Sequence, residues 1–396
     1  MHFRKFKANN IFTGREFLDQ DQVVVADNEG IIKDIVTIKD AGDGIEVFDG
    51  ILTPGFVNAH CHLELSHMKN VVPPGTGLVQ FVQQVMTKRG ATDEEKLDAM
   101  QKAEQELYQT GTVAVGDICN TADSIPTKQK SKIYWHNFIE VSGFVDAVAD
   151  KRLDDAKLVL AKFKSEKSKA KSNATLAPHA PYSVSKTLFQ QLNNETIQQL
   201  TTIHSQECIA EEELYMNKTG GFLELYKNFG IDISGFEPTG KSSLQSFLSY
   251  FTNRQSIISV HNTFAKKADI DFANSKLTTQ NLELFFCICI NANKYIEQTI
   301  PPLELLKNGG FDMVIGTDSY ASNWQLNMVE EMKTIQKDAS IRLKDILTWA
   351  TINGAKALQI ADDFGSFDKG KKPGIILIDA INDLQLSPQS SAKRIL

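Results

Sequence analysis

Short apolar runs alternate with longer amphipathic segments along most of the chain. Eight of these runs are rich in β-forming residues and span residues 51–60, 112–118, 133–141, 174–181, 200–206, 256–262, 282–290 and 312–318. The segments between them have helical periodicity, as in residues 94–111, which close with a glycine. Strands that alternate with helices pair in parallel, and eight such units close a barrel. The pattern therefore predicts an α/β fold with a (β/α)8 TIM barrel over residues 53–362.

Both ends of the chain lie outside this alternation. Residues 1–52 contain short strand patterns with turn signals such as Asn-Glu-Gly, and residues 363–396 contain the turn and apolar strand GSFDKGKKPGIILIDA. Neither end is long enough to bury a core alone. We therefore expect both ends to form one composite β-domain, a small β-sandwich of residues 1–52 and 363–396, which the chain enters after a last barrel helix over residues 341–360.

Histidines are concentrated at the ends of the predicted strands, which meet at one mouth of a parallel barrel. Five of the eight histidines in the sequence occupy such positions: His60, His62, His179, His204 and His261. Residues two apart on a strand point to the same side, so His60 and His62 can present ring nitrogens to one point while Cys61 faces away. A sixth histidine, His136, lies inside the third run, and the pattern leaves its direction open.

A metal site follows from this arrangement. A third imidazole from His204 and a carboxylate from Asp318 would complete a set of nitrogen and oxygen donors that suits zinc, or divalent iron or manganese. A metal with an open position lowers the pKa of its water toward about 7 and so supplies hydroxide at neutral pH. Glu207 lies three residues after His204, where a strand gives way to a helix, and there it suits a general acid/base. A carboxylate that merely complements the helix dipole is the alternative.

Four motifs in this order, PGFVNAHCH, HSQE, SVHN and GTDSYASN, resemble the amidohydrolase superfamily. The resemblance is to its metal-dependent branch of cytosine, guanine, S-adenosylhomocysteine and aminodeoxyfutalosine deaminases and triazine chlorohydrolases, and it runs almost end to end. It implies that the metal is held by His60, His62, His204 and Asp318. It further implies that Asp318 takes a proton from the water, that Glu207 shuttles protons and that His261 orients the attacking water.

The same resemblance bears on the metal count and on the substrate side of the site. Relatives with two metals bridge them through a modified lysine on the fourth strand, which ATLAPHAP lacks, so one divalent metal is expected, zinc before iron or manganese. His179 matches a substrate-side histidine, and Glu64, Asn293 and Ser322 are further candidate substrate contacts. Glu64 lies in HLELSH, a segment similar to that of aminodeoxyfutalosine deaminases, and a solvated loop carboxylate explains it equally well.

Two departures from the family pattern concern the substrate. Cys-Pro near the seventh strand is replaced by Cys289-Ile290, which alters the expected pocket wall. The arginines that contact substrate in S-adenosylhomocysteine deaminases have no counterpart in IYWHNFIEVSGF. The loops 64–90 and 235–254 are expected to set specificity, but their paths do not follow from the sequence.

The leading hypothesis is hydrolytic deamination of an amino-substituted heterocycle, a purine base or a purine nucleoside derivative such as 6-amino-6-deoxyfutalosine. Hydrolysis of a cyclic amide or of a chlorinated heterocycle at the same site is the first alternative. An inactive barrel that serves as a binding scaffold is the second. All the expected metal ligands are present, which favours an enzyme over a scaffold.

Composition narrows the partners and the location. The 396 residues carry a formal charge of −7, which gives no reason to expect nucleic acid or an anionic membrane as a partner. The one basic run, residues 157–171, is mixed with alanine and leucine as on a solvated helix face. No apolar stretch is long enough for a membrane span or a signal core, and the five cysteines lack disulfide spacing. We therefore expect a cytoplasmic protein that binds a small-molecule substrate and can form a homodimer, as is common in the branch.

Overall fold

The computed structural model describes residues 3–165 and 172–396 of the chain. In these residues the strands are β1 (Phe3–Ile11), β2 (Gln22–Asp27), β3 (Ile32–Thr37), β4 (Ile45–Pro54), β5 (Phe56–Cys61), β6 (Thr112–Cys119), β7 (Tyr134–Val141), β8 (Ser172–Pro178), β9 (Leu200–Ser205), β10 (Ser256–His261), β11 (Glu283–Ile288), β12 (Asp312–Ile315), β13 (Ile375–Ile378), β14 (Ile381–Asn382), β15 (Gln385–Leu386) and β16 (Ala392–Arg394). The strands β6 to β12 begin and end within about three residues of the predicted runs, a normal uncertainty for element ends.

The helices connect these strands. They are α1 (Ile38–Ala41), α2 (Leu78–Lys88), α3 (Asp93–Gln109), α4 (Ile125–Lys130), α5 (Ala149–Ser165), α6 (Lys186–Glu195), α7 (Ile209–Asn217), α8 (Gly221–Asn228), α9 (Ser243–Leu248), α10 (Lys267–Gln280), α11 (Ile290–Glu297), α12 (Leu303–Asn308), α13 (Met328–Ala339), α14 (Leu343–Thr348) and α15 (Gly354–Ala357). Thr92 and Glu95 form a capping box that starts α3. A π-helical turn, Trp349–Asn353, joins α14 to α15, so the helix predicted over residues 341–360 is one helical segment with an irregular centre.

Strands from both ends of the chain form one six-stranded sheet in the order β16-β13-β4-β1-β2-β3. The strands β1, β2 and β3 form an antiparallel meander, and β1 pairs in parallel with β4. On the other edge of β4, β13 pairs antiparallel with Leu377 opposite Leu52. Phe6, Val24 and Ile375 belong to a buried cluster of this sheet. The two ends of the chain thus share one sheet and one apolar cluster.

The strands between these ends form two four-stranded parallel sheets, in the orders β5-β6-β7-β8 and β12-β11-β10-β9. Backbone hydrogen bonds join their edges on both sides. The N–H of Asp318 donates to the carbonyl of His60 at 3.1 Å, and the N–H of His204 donates to the carbonyl of His179 at 2.9 Å. Because the strands are parallel, their carboxyl ends, which carry the candidate residues, point the same way.

Both faces of these parallel sheets are buried. Along β10, Ile257 packs into the large core that includes the surrounding helices, whereas Ile258 packs with Ala59, Val314 and Leu358. Successive residues of a strand therefore enter two different cores. This explains why the sequence shows nearly continuous apolar runs rather than an apolar–polar alternation.

The first predicted strand, residues 51–60, is wrong in its extent. The structure places residues 51–54 at the end of β4, in the terminal sheet, and β5 begins only at Phe56. A Cβ atom on Gly55 would meet Val113 Cγ1 at 2.2 Å and the Pro373 carbonyl at 2.7 Å, so only glycine fits where the chain passes from one sheet to the other. An apolar run cannot show this boundary, because the strands on both sides of it are buried.

The helices bear on the expectations about membrane and nucleic-acid partners. None of the described helices is long and apolar enough to cross a membrane. The first part of the basic run, residues 157–165, belongs to α5, where Lys157 pairs with Glu195 at 2.6 Å. The rest of the run, residues 166–171, lies outside the described residues.

Candidate active site

Three of the candidate metal ligands meet where β5 ends. His60 is the last residue but one of β5, His62 follows the strand, and their Nε2 atoms are 3.1 Å apart. Asp318 follows β12, and its Oδ1 lies 3.5 Å from His60 Nε2 and 3.3 Å from His62 Nε2. Between the two histidines, Cys61 packs with Leu63 in an apolar cluster of the wall. The histidines two residues apart thus share one side of the strand, as its alternation requires.

His204 and His261 approach the same point from the other sheet. They lie at the ends of the adjacent parallel strands β9 and β10, with His204 Nδ1 3.1 Å from His261 Nε2. The ring centroid of His60 is 4.8 Å from that of His204 and 5.9 Å from that of His261. Within the described chain, His60 Nδ1 and His204 Nε2 are buried and have no hydrogen-bond partner. Unpaired buried ring nitrogens are an exception. A bound ion can account for His204 Nε2, whereas His60 faces His62 and Asp318 through its other nitrogen, Nε2.

The donor set fits a divalent cation. The ligand atoms of His60, His62 and Asp318 lie within 4.8 Å of one another, and so do those of His60, His204 and His261. Because His60 belongs to both groups, the five side chains form one cluster. Its imidazole nitrogens and carboxylate oxygen are donors that zinc, iron and manganese accept.

The protonation states in the cluster suit metal binding. Burial lowers the pKa of His204 well below its ordinary value, and the neighbouring imidazoles lower it further. Burial also lowers the pKa of His261, to about 3. Burial alone would raise the pKa of Asp318, but its contact with His60 and the nearby His62 outweigh burial and lower it. Neutral imidazoles beside an ionised carboxylate are the form in which these side chains bind metals.

The backbone at these strand ends is strained. His261 has a φ of 74°, Asp318 a φ of 57° and Gln206, which follows β9, a φ of 50°. This left-handed region is unfavourable for residues other than glycine, and such strain concentrates at functional sites. The three strained residues lie in or next to the histidine cluster, so the fold maintains an unfavourable backbone there.

Glu207 places a buried carboxyl group beside the cluster. It lies between β9 and α7, with Oε1 3.5 Å from His261 Nε2. Burial, together with the charges of Asp318 and Glu211, raises the pKa of Glu207 well above its usual value. Glu211, in the first turn of α7, fixes this segment because its carboxylate accepts the backbone N–H groups of Gln206 at 2.9 Å and Glu207 at 3.1 Å. This environment favours the neutral, protonated form of the Glu207 carboxyl group, the form that can donate a proton.

His179 is the candidate imidazole that an incoming molecule can reach. Its side chain is 25% exposed, whereas the four imidazoles of the cluster are at most 9% exposed. Its Nδ1 bonds the buried carboxylate of Glu140 on β7. Burial alone would lower the pKa of His179, but the charge and hydrogen bond of Glu140 outweigh burial and raise it. Glu140 therefore fixes the ring and leaves its other nitrogen toward the open side.

Glu64 faces a small cavity beside His62, but its carboxylate is already engaged. It accepts hydrogen bonds from the Asn120 N–H at 3.1 Å, the Thr121 N–H at 3.2 Å and the Thr121 hydroxyl at 3.0 Å. Burial raises its pKa to about 7. The cavity has a volume of about 60 Å³ and also touches Arg89. Glu64 thus ties the segment after His62 to the loop after β6, and its contact with a substrate stays a prediction.

Asn293 and Ser322 lie behind the cluster rather than at its open side. The Asn293 amide nitrogen is 3.4 Å from His261 Nδ1 and donates to Thr263 Oγ1 at 2.6 Å. The Ser322 hydroxyl donates to Asp318 Oδ2 at 2.5 Å. Both side chains are buried. The structure places them to orient His261 and Asp318, and substrate contact by either residue stays a prediction.

Several supporting residues were not anticipated from the sequence, among them Glu140 and Glu211. Another is the pair that joins β5 to the turn before Asp318: the Asn58 amide donates to Thr317 Oγ1 at 2.7 Å, and the Thr317 N–H donates to Asn58 Oδ1 at 3.1 Å. The signal in the sequence that could have identified Asn58 and Thr317 is that each is a polar residue near the end of an apolar run. His136, whose direction the sequence left open, lies in the core with Nε2 3.0 Å from a threonine hydroxyl.

Known proteins resemble this chain in sequence and in fold. The sequence profile of the amidohydrolase family matches residues 51–394. The chain is 28% identical over 321 residues to an adenosine deaminase of Helicobacter pylori, an alignment that covers 79% of this chain and 75% of that protein. The structure of Helicobacter pylori aminofutalosine deaminase in complex with methylthio-coformycin superposes with a TM-score of 0.84 at 22% identity and covers 99% of this chain and 100% of that chain. An adenosine deaminase from Xanthomonas campestris with bound zinc superposes with a TM-score of 0.72 at 20% identity, covering 97% of this chain and 86% of that chain.

Proposed function

Because the chain belongs to the amidohydrolase family, we propose that it is a metal-dependent hydrolase that removes the amino group of a purine nucleoside derivative as ammonia. The family predicted from the four sequence motifs, and hydrolytic deamination as its class of activity, are confirmed. One observation carries the proposal for this site. Four buried imidazoles and the Asp318 carboxylate converge on one point, and the Glu207 carboxyl group lies beside it.

One divalent cation, zinc before iron or manganese, is the cofactor of this proposal. Its ligands are His60, His62, His204 and Asp318. The approach of His60 Nε2 to His62 Nε2 and Asp318 Oδ1, together with the unpaired Nε2 and the low pKa of the His204 imidazole, supports this assignment. When bound, the cation supplies Lewis acid chemistry, which lowers the pKa of a water molecule and makes it nucleophilic at neutral pH.

The chain's own residues move the protons of the reaction. Asp318 accepts a proton from the water as the water oxygen attacks the carbon that bears the amino group, and Glu207 donates its proton to the adjacent ring nitrogen. His261, fixed by Asn293, is placed to hydrogen-bond the attacking oxygen. Asp318 then gives its proton to the departing amino group, which leaves as ammonia. Glu207 recovers a proton from the new hydroxyl group, so both carboxyl groups return to their starting states.

The alternatives have less support. The relatives described above are named for their action on nucleosides, which favours deamination over hydrolysis of a cyclic amide or of a chlorinated heterocycle. An inactive binding scaffold has no use for a buried carboxylic acid beside a complete set of metal ligands.

The test is metal analysis of the purified protein, followed by an ammonia-release screen over adenine, guanine, cytosine and their nucleosides, including 6-amino-6-deoxyfutalosine. We expect a divalent metal in the protein and ammonia release from at least one purine nucleoside. Metal-loaded protein that releases ammonia from none of these compounds would contradict the proposed function.

We also propose how the sheets around the site are arranged. The two parallel sheets close into one eight-stranded barrel, supported by the backbone hydrogen bonds that join both pairs of sheet edges. Its first strand begins at Phe56 rather than at the predicted residue 53, and its predicted end at residue 362 is kept. The two ends of the chain, up to Pro54 and from residue 363, form the composite β-domain, supported by their shared six-stranded sheet. Its arrangement as a two-layer β-sandwich stays a prediction.

A small molecule is the partner that the buried site accommodates. A cytoplasmic location and the lack of nucleic-acid or membrane partners stay predictions from charge, apolar patterning and cysteine spacing. A homodimer stays a prediction from the family resemblance.

A further inference from the structure

A cavity of about 380 Å³ is lined on one side by Cys208, the residue that follows Glu207. The segment 64–90, whose path the sequence left open, contributes α2 to one side, and α7, α8 and the end of α11 form the others. The polar residues of the wall are Thr76, Gln80, Gln83, Cys208, Glu224, Asn228 and Glu297. Cavities of roughly 300–1,000 Å³ take small organic ligands. This cavity is therefore large enough for part of a substrate.

The cavity adjoins the catalytic acid. Cys208, in the cavity wall, directly follows Glu207 and precedes the first residue of α7. Glu297, on the other side of the cavity, follows Ile296, which belongs with Cys208 to one buried apolar cluster. When the amino-bearing carbon of a purine lies at the histidine cluster, the ribose and its substituents extend away from the cluster. Of this cavity and the cavity of about 60 Å³ beside His62, this one is large enough for them.

The charged residues in the cavity wall are all acidic. The lining residues, all of them in the described chain, include the carboxyl groups of Glu224 and Glu297 but no lysine, arginine or histidine. Glu297 Oε1 accepts the N–H of Leu78 at 2.6 Å, which fixes this carboxyl group at the start of α2. An anionic group in the cavity would lose water and meet like charges without a cation to pair with. An uncharged or cationic hydrogen-bond donor would find acceptors.

We propose that this cavity binds the substituent on the ribose of the nucleoside substrate and selects uncharged or cationic substituents over anionic ones. The inference rests on the proposed function and narrows its substrate class. Selectivity arises from Glu224 and Glu297, while Gln80, Gln83 and Asn228 supply uncharged hydrogen-bonding groups.

The small cavity beside His62 has cations in its wall. Arg89 and Lys96 line it together with the carboxylates of Glu64 and Asp123, but its volume of about 60 Å³ has room only for a few water molecules. A ribose substituent does not fit there in this structure. A preference for anionic substrates would therefore point to this second cavity and overturn the proposal.

The test uses three adenosine analogues that differ only at the 5′ position of the ribose: the 5′-hydroxyl of adenosine, a 5′-amine and a 5′-carboxylate. Binding to the metal-loaded Glu207→Gln variant is measured by calorimetry, and ammonia release is measured with the unmodified enzyme. We expect the carboxylate to bind about tenfold more weakly than adenosine and the amine to bind at least as tightly as adenosine. These differences should shrink at high salt.

Two variants on α8 test whether Glu224 causes the weaker binding of the carboxylate. Glu224 is exposed at the cavity rim, so Glu224→Lys should fold, and it should lower the carboxylate-to-adenosine ratio of Kd values about threefold or more. Lys227 lies on the same helix but not in the cavity wall, and Lys227→Glu should leave this ratio within about twofold.

Each outcome decides between the two proposals. Binding in the expected order without ammonia release would support the cavity assignment and contradict deamination. Ammonia release with equal or preferred binding of the carboxylate would overturn the cavity assignment and leave deamination intact. Failure of all three nucleosides to bind would overturn both.

Discussion

The carboxylate of Asp117 lies 2.5 Å from the ammonium group of Lys128, and both side chains are buried. The same carboxylate accepts the backbone N–H of Leu63 at 2.8 Å through its other oxygen. Leu63 directly follows His62, so the ion pair fixes the backbone next to a candidate metal ligand. Burial alone would lower the pKa of Lys128, but the charge of Asp117 outweighs burial and raises it. Lys128 also donates to Asn137 Oδ1 at 2.7 Å.

Removing one member of this pair should destabilise the protein strongly. Lys128→Met leaves the Asp117 carboxylate buried without its cation, and breaking a buried pair typically costs about 3–5 kcal/mol. Chemical denaturation measures this loss in the free energy of unfolding. The matched control is Lys102→Met, which removes an exposed pair with Asp98 on α3 and should cost less than about 1 kcal/mol. Equal small losses in both variants would show that the buried pair does not support the fold.

Glu207→Gln should remove most of the turnover and leave the metal content unchanged. The amide keeps the size of the side chain but cannot act as a general acid/base, a loss that typically costs about 10²–10⁴ in rate. Ammonia release and metal analysis of the same preparation measure the two quantities. The control is Glu213→Gln, an exposed carboxylate on α7, whose turnover should stay within about twofold of the unmodified enzyme. Turnover near normal in Glu207→Gln would reject its role as proton shuttle.

Sequence patterns could locate the candidate residues because strand position is a local property. A polar residue at the carboxyl end of an apolar run, in a chain that alternates strands with helices, lies at a common edge whatever the details of packing. This local pattern alone places His60, His204 and His261 at strand ends.

The supporting contacts could not be predicted in this way, because they depend on strand pairing and helix packing. Asn58 and Thr317 bond across 259 positions, and a period of two or 3.6 residues carries no information about such partners. The same limit applies to the Asp117–Lys128 pair, in which the aspartate belongs to β6 and the lysine to the short helix α4. It also explains why the strand boundary at Gly55 was missed.

Zinc should raise the melting temperature of protein that has been stripped with a chelator. A ligand that binds only the native state stabilises it by RT ln(1 + [L]/Kd), or about 2.7 kcal/mol at a hundred times Kd. His204→Ala should lose most of this shift, because it removes an imidazole that faces the cluster from the second sheet. Thermal unfolding with and without zinc makes the comparison.

The control for this prediction is His67→Gln. The His67 ring bonds the carbonyls of Glu64 and Arg89 rather than the cluster, so the zinc-dependent shift should persist in this variant. A full shift in His204→Ala, or a lost shift in His67→Gln, would place the cation elsewhere.

Glu331 should introduce a pH dependence into the stability. It lies in α13, fully buried, and accepts the Asn291 N–H at 3.1 Å and the Asn323 amide at 2.8 Å. Burial raises its pKa from 4.5 to about 8. The folded protein therefore holds one more proton than the unfolded chain between these values. Its contribution is complete below about pH 4.5 and is lost as the pH rises toward about 8, at up to about 1.4 kcal/mol per pH unit.

Glu331→Gln removes this titration. The free energy of unfolding of the variant, minus that of the unmodified protein, should therefore become more positive as the pH rises from about 5 to about 8, and level off above that. Other buried acids with a raised pKa, such as Glu64 and Glu211, are present in both proteins and cancel in the difference. Glu330→Gln, at the partly exposed neighbouring position, should leave the pH profile unchanged. A difference that does not vary with pH would mean that Glu331 is ionised in the folded protein, where its two hydrogen-bond donors would then have to outweigh its burial.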